Sequence, residues 1–565
     1  MEEKREDLAS ILPYLPLIRR SSSSLLFWPP KAQSSLKALS LGPDISRVDS
    51  GDLLADAIAD LRHSSGLSSD HGRSFSSRAA DGYALFFNEL MSRADSRMWF
   101  GDVIPTLARL VLRLPSLLVE HYRNADNDIN GRGITGFRLL NQQEPGIVFL
   151  GQELIAALLS CAFFCLFPTS NRGKKHLPTI NFDQLFASLH PKGNNSQQEQ
   201  KVKCLIHYFE RICQCMPTGV VSFERKVLPF EQRSNYISYP EVDFWRTSAI
   251  SLCPFEAFPS GLIEDQNYEA LEVDFANEYL GGGALHRGCV QEEIRFMINP
   301  ELIIGMLFMP SMRKNEAIEI VGVERFSHYM GYGSSFRFMG DYLDKKQLDS
   351  FGRRKTRIIA IDALYSPRRR QYEVEGLIRE VNKAYCGFFY RSKYQCCQKN
   401  FQETSSSGTH FRHNGSEAFS ETDRNIAIKD GSSSRHGNGD ISLPFIEDYH
   451  TNYEICHENI GIATGNWGCG AFGGDPEIKS IIQWLAASQA LRPFIHYYTF
   501  GEASMQRMEE VTRWILLHGW TVGDLWSMLV EYSSQRLNGN SNLWFFSWLL
   551  PEQAARSSDV HYMSE

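Results

Sequence analysis

The sequence is short of the features that mark membrane, nucleic-acid-binding and zinc proteins. Its longest apolar run, residues 154–167, has 14 residues between Glu153 and Pro168, whereas a helix needs about 20 to cross a bilayer. Positive charge is also in deficit, with 58 lysines and arginines against 66 acidic residues and a formal net charge of -8. This balance argues against a general attraction to nucleic acid or acidic membrane. We therefore expect a soluble protein with no membrane partner and no direct nucleic-acid binding.

Cysteine is equally sparse. The 565 residues include 12 cysteines, and no C-x-x-C pair recurs with a matching histidine spacing. This argues against a zinc site and indicates reduced thiols in an intracellular compartment. The first residues, MEEKRED, resemble neither a signal peptide nor an acid-poor transit sequence.

The sequence pattern divides the chain into parts. Residues 1–80 contain Ser-rich stretches and are predicted to be partly disordered. Residues 81–218 show helical periodicity and little strand-like alternation, which predicts an all-helical domain. In residues 219–540, short β-rich runs alternate with helical patterns, which predicts an α/β domain with a parallel or mixed sheet covered by helices. Residues 541–565 form a tail whose aromatic run is predicted to pack on that domain.

Individual elements follow from the same periodicity. Strands are predicted at 270–274, 317–323, 357–364, 461–464 and 494–500. Helices are predicted at 83–91, 105–122, 151–167, 199–213, 291–308, 376–385, 476–491, 504–517 and 522–536. Residues 402–440 are rich in Ser, Gly, Asn, His and charge, which predicts a disordered surface insertion.

A first polar cluster combines a strand end, three glycines and two adjacent glutamates. The segment VDFAN (273–277) ends a predicted strand, Gly281–Gly283 follow, and 291–293 (QEE) open a predicted helix. Glycines let the backbone approach a ligand closely, and successive helix residues point about 100° apart, so the two carboxylates can meet different parts of one ligand. The alternative is that these acids merely complement the helix dipole. That dipole lowers a carboxyl pKa, so a general acid here would need burial or a neighbouring negative charge such as Asp274.

A second cluster is the glycine-rich loop TGNWGCGAFGGDP (464–476), between a predicted strand and a predicted helix. Asp475 suits a helix N-cap and Pro476 a first helical position. Free main-chain N–H groups in such a loop can bind a diphosphate. The G-x-G-x-x-G at 468–473 also suggests a dinucleotide-dependent dehydrogenase, but the acidic residue expected about 20 positions later is missing from 480–499.

Three aromatic residues lie at the ends of predicted strands: Tyr329 and Tyr332 follow one, and Phe500 is the last residue of another. Aromatic rings at strand ends can stack on adenine or pack against ribose. Ordinary packing at the core or rim explains each ring equally well when it is taken alone.

Together, these blocks resemble poly(ADP-ribose) glycohydrolases of the eukaryotic long type. The family signature is GGG, six to eight residues, then QEE, and here 281–283 and 291–293 match it. Further matching blocks lie at 273–277 (VDFAN), 299–302 (NPEL), 361–364 (IDAL), 382–387 (NKAYCG) and 464–475 (TGNWGCGAFGGD). The resemblance spans roughly residues 100–535. It does not include the first hundred residues or the insertion 402–440, which falls just before the glycine-rich loop.

The resemblance implies a macrodomain-like mixed sheet flanked by helices and preceded by an all-helical accessory domain. It also implies hydrolysis of ribose–ribose O-glycosidic bonds in poly(ADP-ribose), mainly from chain ends, with release of ADP-ribose and without metal or other cofactor. The implied partners are poly(ADP-ribose) and poly(ADP-ribosyl)ated proteins. A monomer in the nucleus and/or cytoplasm, with a part in the DNA damage response, is expected. The alternative is a macrodomain that reads ADP-ribose without cutting it, although the intact QEE favours catalysis.

The resemblance also assigns roles to individual residues. Glu293 matches the acid that protonates the leaving ribose oxygen and then activates water, and Glu292 and Asp274 match the other acidic residues of the catalytic set. Asn277 and Gln291 match ligand contacts. The remaining implied contacts are Ile263, Glu264 and Tyr332 at adenine, Asn466, Trp467, Gly468, Cys469, Gly470, Ala471 and Phe472 at the diphosphate, and Phe500 at the terminal ribose.

Overall fold

Helices dominate the first 214 residues of the computed structural model, which describes residues 5–19, 26–67, 75–126, 136–189, 196–231, 237–266, 268–390 and 460–550. In chain order these helices are α1 (Glu6–Ile11), α2 (Pro30–Ser40), α3 (Pro43–Ser46), α4 (Gly51–Ser64), α5 (Ser77–Ala84), α6 (Arg93–Met98), α7 (Ile104–Leu112), α8 (Leu114–Asp126), α9 (Gln152–Phe163), α10 (Asp183–Phe186) and α11 (Ser196–Gln214). The apolar run seen in the sequence becomes α9, which is buried along almost its whole length. A helix that is apolar on all sides is stable only when protein surrounds it.

The strands are β1 (Ile18–Arg19), β2 (Leu26–Phe27), β3 (Gly146–Gly151), β4 (Val220–Val227), β5 (Phe255–Phe258), β6 (Ala270–Asp274), β7 (Glu316–Val321), β8 (Ser327–Met330), β9 (Arg337–Asp341), β10 (Arg357–Ala360), β11 (Gly461–Gly465) and β12 (Ile495–Tyr498). Eight of them form a sheet in the order β3-β4-β7-β10-β6-β11-β12-β5. From β10 to β5 all neighbours are parallel, whereas β7, β4 and β3 are added antiparallel. The predicted mixed sheet is confirmed.

The later helices cover this sheet. They are α12 (Val242–Arg246), α13 (Gln291–Ile298), α14 (Gly305–Phe308), α15 (Val374–Phe388), α16 (Pro476–Gln489), α17 (Met508–Leu517), α18 (Val522–Leu537) and α19 (Phe545–Leu549). Every residue of β6, β10 and β11 is buried, so both faces of the central strands are covered. In α19, Phe545 and Phe546 are buried, as predicted for the tail.

Prolines divide two of the predicted helices. The pattern at 105–122 becomes α7 and α8, with Pro115 in the first turn of α8, and the pattern at 291–308 is interrupted after Ile298, just before Pro300. Proline has no N–H to donate and its ring clashes with the preceding turn, so apolar periodicity alone overestimates helix length.

The helical region and the sheet share one hydrophobic core. That core extends from Leu8 in α1 to Ala360 in β10, and the ring of Phe223 in β4 lies 5.3 Å from that of Phe308 in α14. Strand β3 lies inside the segment predicted to be all-helical. Its six residues, GIVFLG, do not alternate between apolar and polar and lie directly before the apolar helix α9, so the period of two that marks a half-buried strand is absent.

Several sequence predictions concern the chain ends and the insertion. Residues 1–80, predicted to be partly disordered, include α2 and α4, whose apolar faces enter the shared core. The predicted insertion 402–440 lies outside the described residues. Among the helices that are described, none is both long enough and apolar enough to span a membrane.

Candidate active site

Three neighbouring parallel strands bring both sequence clusters to one edge of the sheet. Asp274 is the last residue of β6, the glycine-rich loop follows β11, and Phe500 lies two residues after β12. These strands are adjacent in the order β6-β11-β12. Ligands of open α/β sheets bind beyond the carboxyl ends of such strands, and the clusters predicted separately therefore face one site.

Main-chain N–H groups hold both glutamates of the QEE segment. The N–H groups of Gly281 and Asn277 donate to Glu292 at 2.7 and 2.9 Å. Those of Gly283 and Val290 donate to Glu293, each at 2.8 Å. Charge-assisted bonds from rigid backbone fix the direction of each carboxylate. The first turn of α13 thus contributes orientation as well as charge.

The lack of space around these carboxylates explains why glycines lie next to them. A Cβ added to Gly282 would lie 2.5 Å from Oε2 of Glu292 and 2.9 Å from Oε1 of Glu293, and its φ of +46° is left-handed. A Cβ on Gly288 would lie 2.5 Å from Oε1 of Glu293. Only glycine lets the backbone wrap so closely around two side chains.

Asp274, Glu292 and Glu293 form a buried acidic cluster, and burial raises the pKa values of Asp274 and Glu292. Asp274 is 1% exposed, and neither of its carboxyl oxygens has a hydrogen-bond partner within the described residues. Burial raises the pKa of Asp274 to about 7, with a further rise from Glu293 and an opposing effect of Arg295. Burial and the charges of Asp274 and Glu293 raise the pKa of Glu292 well above its usual range. The condition expected for acid catalysis, burial with neighbouring negative charge, is present in this cluster.

The other two polar residues of the first cluster have different surroundings. Gln291 accepts from the N–H of Phe275 at 2.8 Å and donates to the carbonyl of Val273 at 3.1 Å, so its amide fixes the end of β6 to α13. Asn277 uses Oδ1 to accept from the N–H of Tyr279 at 3.0 Å. The Asn277 side chain is partly exposed.

The glycine-rich loop after β11 presents a row of main-chain donors. The N–H groups of residues 470–472 donate to no acceptor in the described part of the chain, and Gly470 and Ala471 are exposed. Around them, the loop is closed by bonds from Gly473 to Gly470 (3.1 Å) and from Gly474 to Gly468 (2.9 Å). Consecutive free N–H groups in a turn form a concave anion site.

The first N–H groups of α16 do not belong to this row. Asp475 caps the helix by accepting from the N–H groups of Glu477 and Ile478 at 3.0 and 3.4 Å, which confirms the predicted N-cap. Diphosphate binding, as inferred from the sequence, would therefore use the loop itself and not the helix terminus.

Two side chains of the loop anchor it to the fold, and a third bonds within the loop. Trp467 is fully buried and donates to the carbonyl of Ile361 at 2.8 Å. Asn466 donates to the carbonyl of Thr499 at 2.9 Å and accepts from the Tyr497 hydroxyl at 3.0 Å. Cys469 contacts the carbonyl of Trp467 at 3.4 Å. The side chains of Asn466 and Trp467 are thus used within the protein, and the main-chain N–H of Trp467 donates to the carbonyl of Gly465 at 2.7 Å.

The residues expected at adenine differ in exposure. Glu264 is buried and accepts from the Tyr329 hydroxyl at 2.5 Å. Ile263 is 1% exposed and packs in a small cluster with Ala270, Ala463 and Tyr498, so its side chain faces the protein. Tyr332, between β8 and β9, is 57% exposed.

Phe500 combines exposure with an unusual backbone. Its side chain is 47% exposed and its φ is +53°. A bulky residue in the left-handed region is uncommon and is found where the surroundings impose it, often at functional sites.

Two charged residues near the site were not anticipated. Arg295, in α13, donates to Glu272 and lies 4.0 Å from Glu264, which places a buried cation between the adenine side and the acidic cluster. Lys201, in α11, donates to the carbonyls of Gly283, His286 and Gly288, which lie between the GGG and QEE motifs. A charged residue on an otherwise apolar helix face is the signal that could have identified both. No group of three or more potential metal ligands occurs among the residues described.

Comparison with known proteins agrees with this geometry. Residues 242–507 match the family described as "Poly (ADP-ribose) glycohydrolase (PARG), Macro domain fold", and residues 91–225 match its helical domain. The chain is 54% identical to "Poly(ADP-ribose) glycohydrolase 1" of Arabidopsis thaliana, over 99% of both chains. It is 51% identical to "Probable poly(ADP-ribose) glycohydrolase 2" of the same plant, over 97% of this chain and 99% of the relative. A Caenorhabditis elegans protein, "Poly(ADP-ribose) glycohydrolase 1", is 31% identical over 58% of this chain and 35% of its own.

Proposed function

The chain belongs to the poly(ADP-ribose) glycohydrolase family, and from this we propose that it hydrolyses ribose–ribose O-glycosidic bonds of poly(ADP-ribose), mainly from chain ends, to release ADP-ribose. One observation supports catalysis above simple binding: two oriented glutamates lie beside a buried aspartate whose pKa is raised. A macrodomain that only reads ADP-ribose needs the loop of free N–H groups but not this acidic cluster.

Glu293 is the carboxyl that we assign to proton transfer. It is the most exposed of the three acids, 7% against 3% for Glu292 and 1% for Asp274. Burial and the negative charge of neighbouring carboxyl groups raise the pKa values of Asp274 and Glu292 beside it, which opposes full ionisation of the cluster. The cluster can therefore retain a proton and deliver it through Glu293.

The reaction then follows general acid–base chemistry. Glu293 donates its proton to the ribose oxygen that leaves, the bond from that oxygen to the anomeric carbon breaks, and an oxocarbenium-like state develops. The resulting carboxylate accepts a proton from water as the water oxygen bonds to the anomeric carbon. Glu292, held by two N–H groups, supports the ribose hydroxyls. The products are ADP-ribose and a polymer shortened by one unit.

Binding is assigned to the surrounding loops. The free N–H groups of residues 470–472 receive the diphosphate. Tyr332 offers an exposed ring to adenine, and Phe500 offers one to the terminal ribose. Asn277, partly exposed and bonded through its N–H to Glu292, offers a further ligand contact.

The test compares Glu293→Gln with Glu301→Gln on an automodified poly(ADP-ribosyl)ated acceptor. Glu301 is a matched control, because it is also buried and accepts two hydrogen bonds, from Gln152 and from the Glu324 N–H, at 2.8 and 2.7 Å. Native protein and the control should release ADP-ribose, whereas Glu293→Gln should be at least about 10²-fold slower through loss of the general acid. Equal rates for Glu293→Gln and native protein would remove Glu293 from the mechanism. If native protein binds ADP-ribose but releases none from the polymer, the result would support the alternative, a macrodomain that binds ADP-ribose without cutting it.

We further propose that the protein works as a monomer in the nucleus and/or cytoplasm, takes part in the DNA damage response and does not bind nucleic acid directly. The net charge of -8 is consistent with the last point. Light scattering of the purified protein, a fluorescent fusion in cells and the growth of a deletion strain under DNA-damaging treatment test the first three of these proposals separately.

A further inference from the structure

The side chain of Lys201 contacts the loop that surrounds Glu293. Lys201 lies in α11 on the same face as Leu205, Tyr208 and Ile212, and it is fully buried. Its Nζ donates to the carbonyls of Gly283, His286 and Gly288 at 3.3, 2.9 and 2.6 Å. A lysine has three N–H donors, so all of them can be used within one short loop.

These carbonyls belong to the residues that shape the surroundings of Glu293. The N–H of Gly283 donates to Oε1 of Glu293 at 2.8 Å, and the Cα of Gly288 has no room for a side chain beside that carboxyl. One turn before Lys201, Gln198 donates to the carbonyl of Arg287 at 3.0 Å. The helix α11 therefore bonds to four main-chain carbonyls of the segment 283–288, which leads from the GGG towards the QEE segment.

An ammonium group in this position is energetically demanding. Burial lowers the pKa of Lys201 to about 8, an effect only partly opposed by Cys289, Glu293 and Cys204. A buried charge that meets only neutral carbonyls is tolerated when its hydrogen bonds are well satisfied. A methionine could occupy the same volume without this penalty, which indicates that the donors themselves have a use.

We propose that Lys201 is a positioning residue for the glycosidase reaction: through three main-chain carbonyls it holds the loop 283–288 so that the Glu293 carboxyl faces the scissile bond. This inference rests on the proposed function. It predicts an effect on turnover larger than any effect on ADP-ribose affinity, because the diphosphate and adenine contacts lie on other loops.

The experiment compares Lys201→Met, Lys201→Gln and Lys226→Met. Lys226, in β4, is the matched control: it donates to the carbonyls of Gly387 and Phe389 at 2.8 and 2.7 Å, at the end of α15, and also to Glu319. Lys201→Met should lower kcat by about 10²-fold, the loss expected when a catalytic group moves by about 1 Å, while KM and the Kd for ADP-ribose stay close to native. Lys201→Gln, which keeps two donors, should be intermediate. Lys226→Met should lower thermal stability but keep kcat.

A second readout does not depend on turnover. The amide protons of Gly283 and Val290, both bonded to Glu293, should exchange with solvent at least about 10-fold faster in Lys201→Gln than in Lys226→Met, because the loop opens more often. Equal kcat for the folded Lys201 variants and Lys226→Met, or unchanged exchange at both amides, would overturn the inference. Failure of native protein to release ADP-ribose would refute the proposed function, and the exchange rates would still decide whether Lys201 holds the loop.

Discussion

Replacing Gly288 by alanine should disable the proposed acid with very little added bulk. The new Cβ would lie 2.5 Å from Oε1, 2.6 Å from Cδ and 3.0 Å from Cγ of Glu293, whereas an ordinary contact starts near 3.4 Å. The carboxyl or the loop must therefore move by about 1 Å, and a displacement of that size can cost about 10² in rate. Overpacking of this kind should also lower the free energy of unfolding by about 1–3 kcal/mol.

The assay measures the release of ADP-ribose from automodified acceptor together with the thermal unfolding of each variant. Gly101→Ala is the control, because Gly101 is exposed and its Cβ would meet nothing within 4 Å. We expect native turnover from Gly101→Ala and about 10²-fold lower turnover from folded Gly288→Ala. Native turnover from Gly288→Ala would show that Glu293 does not need its observed position, and the reasoning from crowding would then be wrong.

Three further predictions follow from other parts of the structure. Because folding raises the pKa of Asp274 from 3.8 to about 7, the folded state binds more protons than the unfolded state in that window, so native stability should fall as pH rises from about 4 to about 7. Urea unfolding of Asp274→Asn should show a smaller fall, because only the buried Glu292 still contributes to it; the difference from native protein should amount to a few kcal/mol at roughly 1.4 kcal/mol per pKa unit, and parallel pH profiles would contradict it. Tyr329→Phe removes the 2.5 Å bond to Glu264 and should lower the free energy of unfolding by about 1.5–3 kcal/mol, with weaker ADP-ribose binding in calorimetry; an unchanged midpoint would argue against that bond. Arg225→Met leaves Glu316 buried without its 2.5 Å ion-pair partner and should lower the free energy of unfolding, measured by chemical denaturation, by about 3–5 kcal/mol. A loss well below that range would be evidence against the ion pair.

The central part of the fold could be read from the sequence. The strand predicted at 270–274 is β6 without any change of bounds, and the predicted strand at 461–464 is β11 with one residue added. Fully buried strands of a parallel sheet read as short, apolar, turn-bounded runs, which makes them visible. The hairpin β8–β9 was missed, because its strands have only four and five residues and contain a single buried residue, Ser327 in β8.

The sequence predicted the acidic residues of the site but not the residue proposed to position them. The motifs identified Asp274, Glu292 and Glu293, because glycines and adjacent acids at a strand end have a local physical meaning. Lys201 is 82 and 87 residues from Gly283 and Gly288 in sequence. Only the fold brings α11 against the segment 283–288. The glycine-rich loop shows a similar limit: its sequence predicted an anion site and the N-cap at Asp475, but not that the free main-chain N–H groups would be those of residues 470–472.

The pairing of β4 with β7 has a practical consequence for anyone who shortens this protein. A fragment limited to residues 242–507 would retain the acidic cluster but lose β3, β4 and α11. One side of β7 would then present a row of unmatched amides and carbonyls, a template on which separate molecules can associate. Recombinant pieces cut at the junction between the two family regions should therefore aggregate, and co-expression of the missing part in trans, not a longer linker or a solubility tag, is the natural remedy.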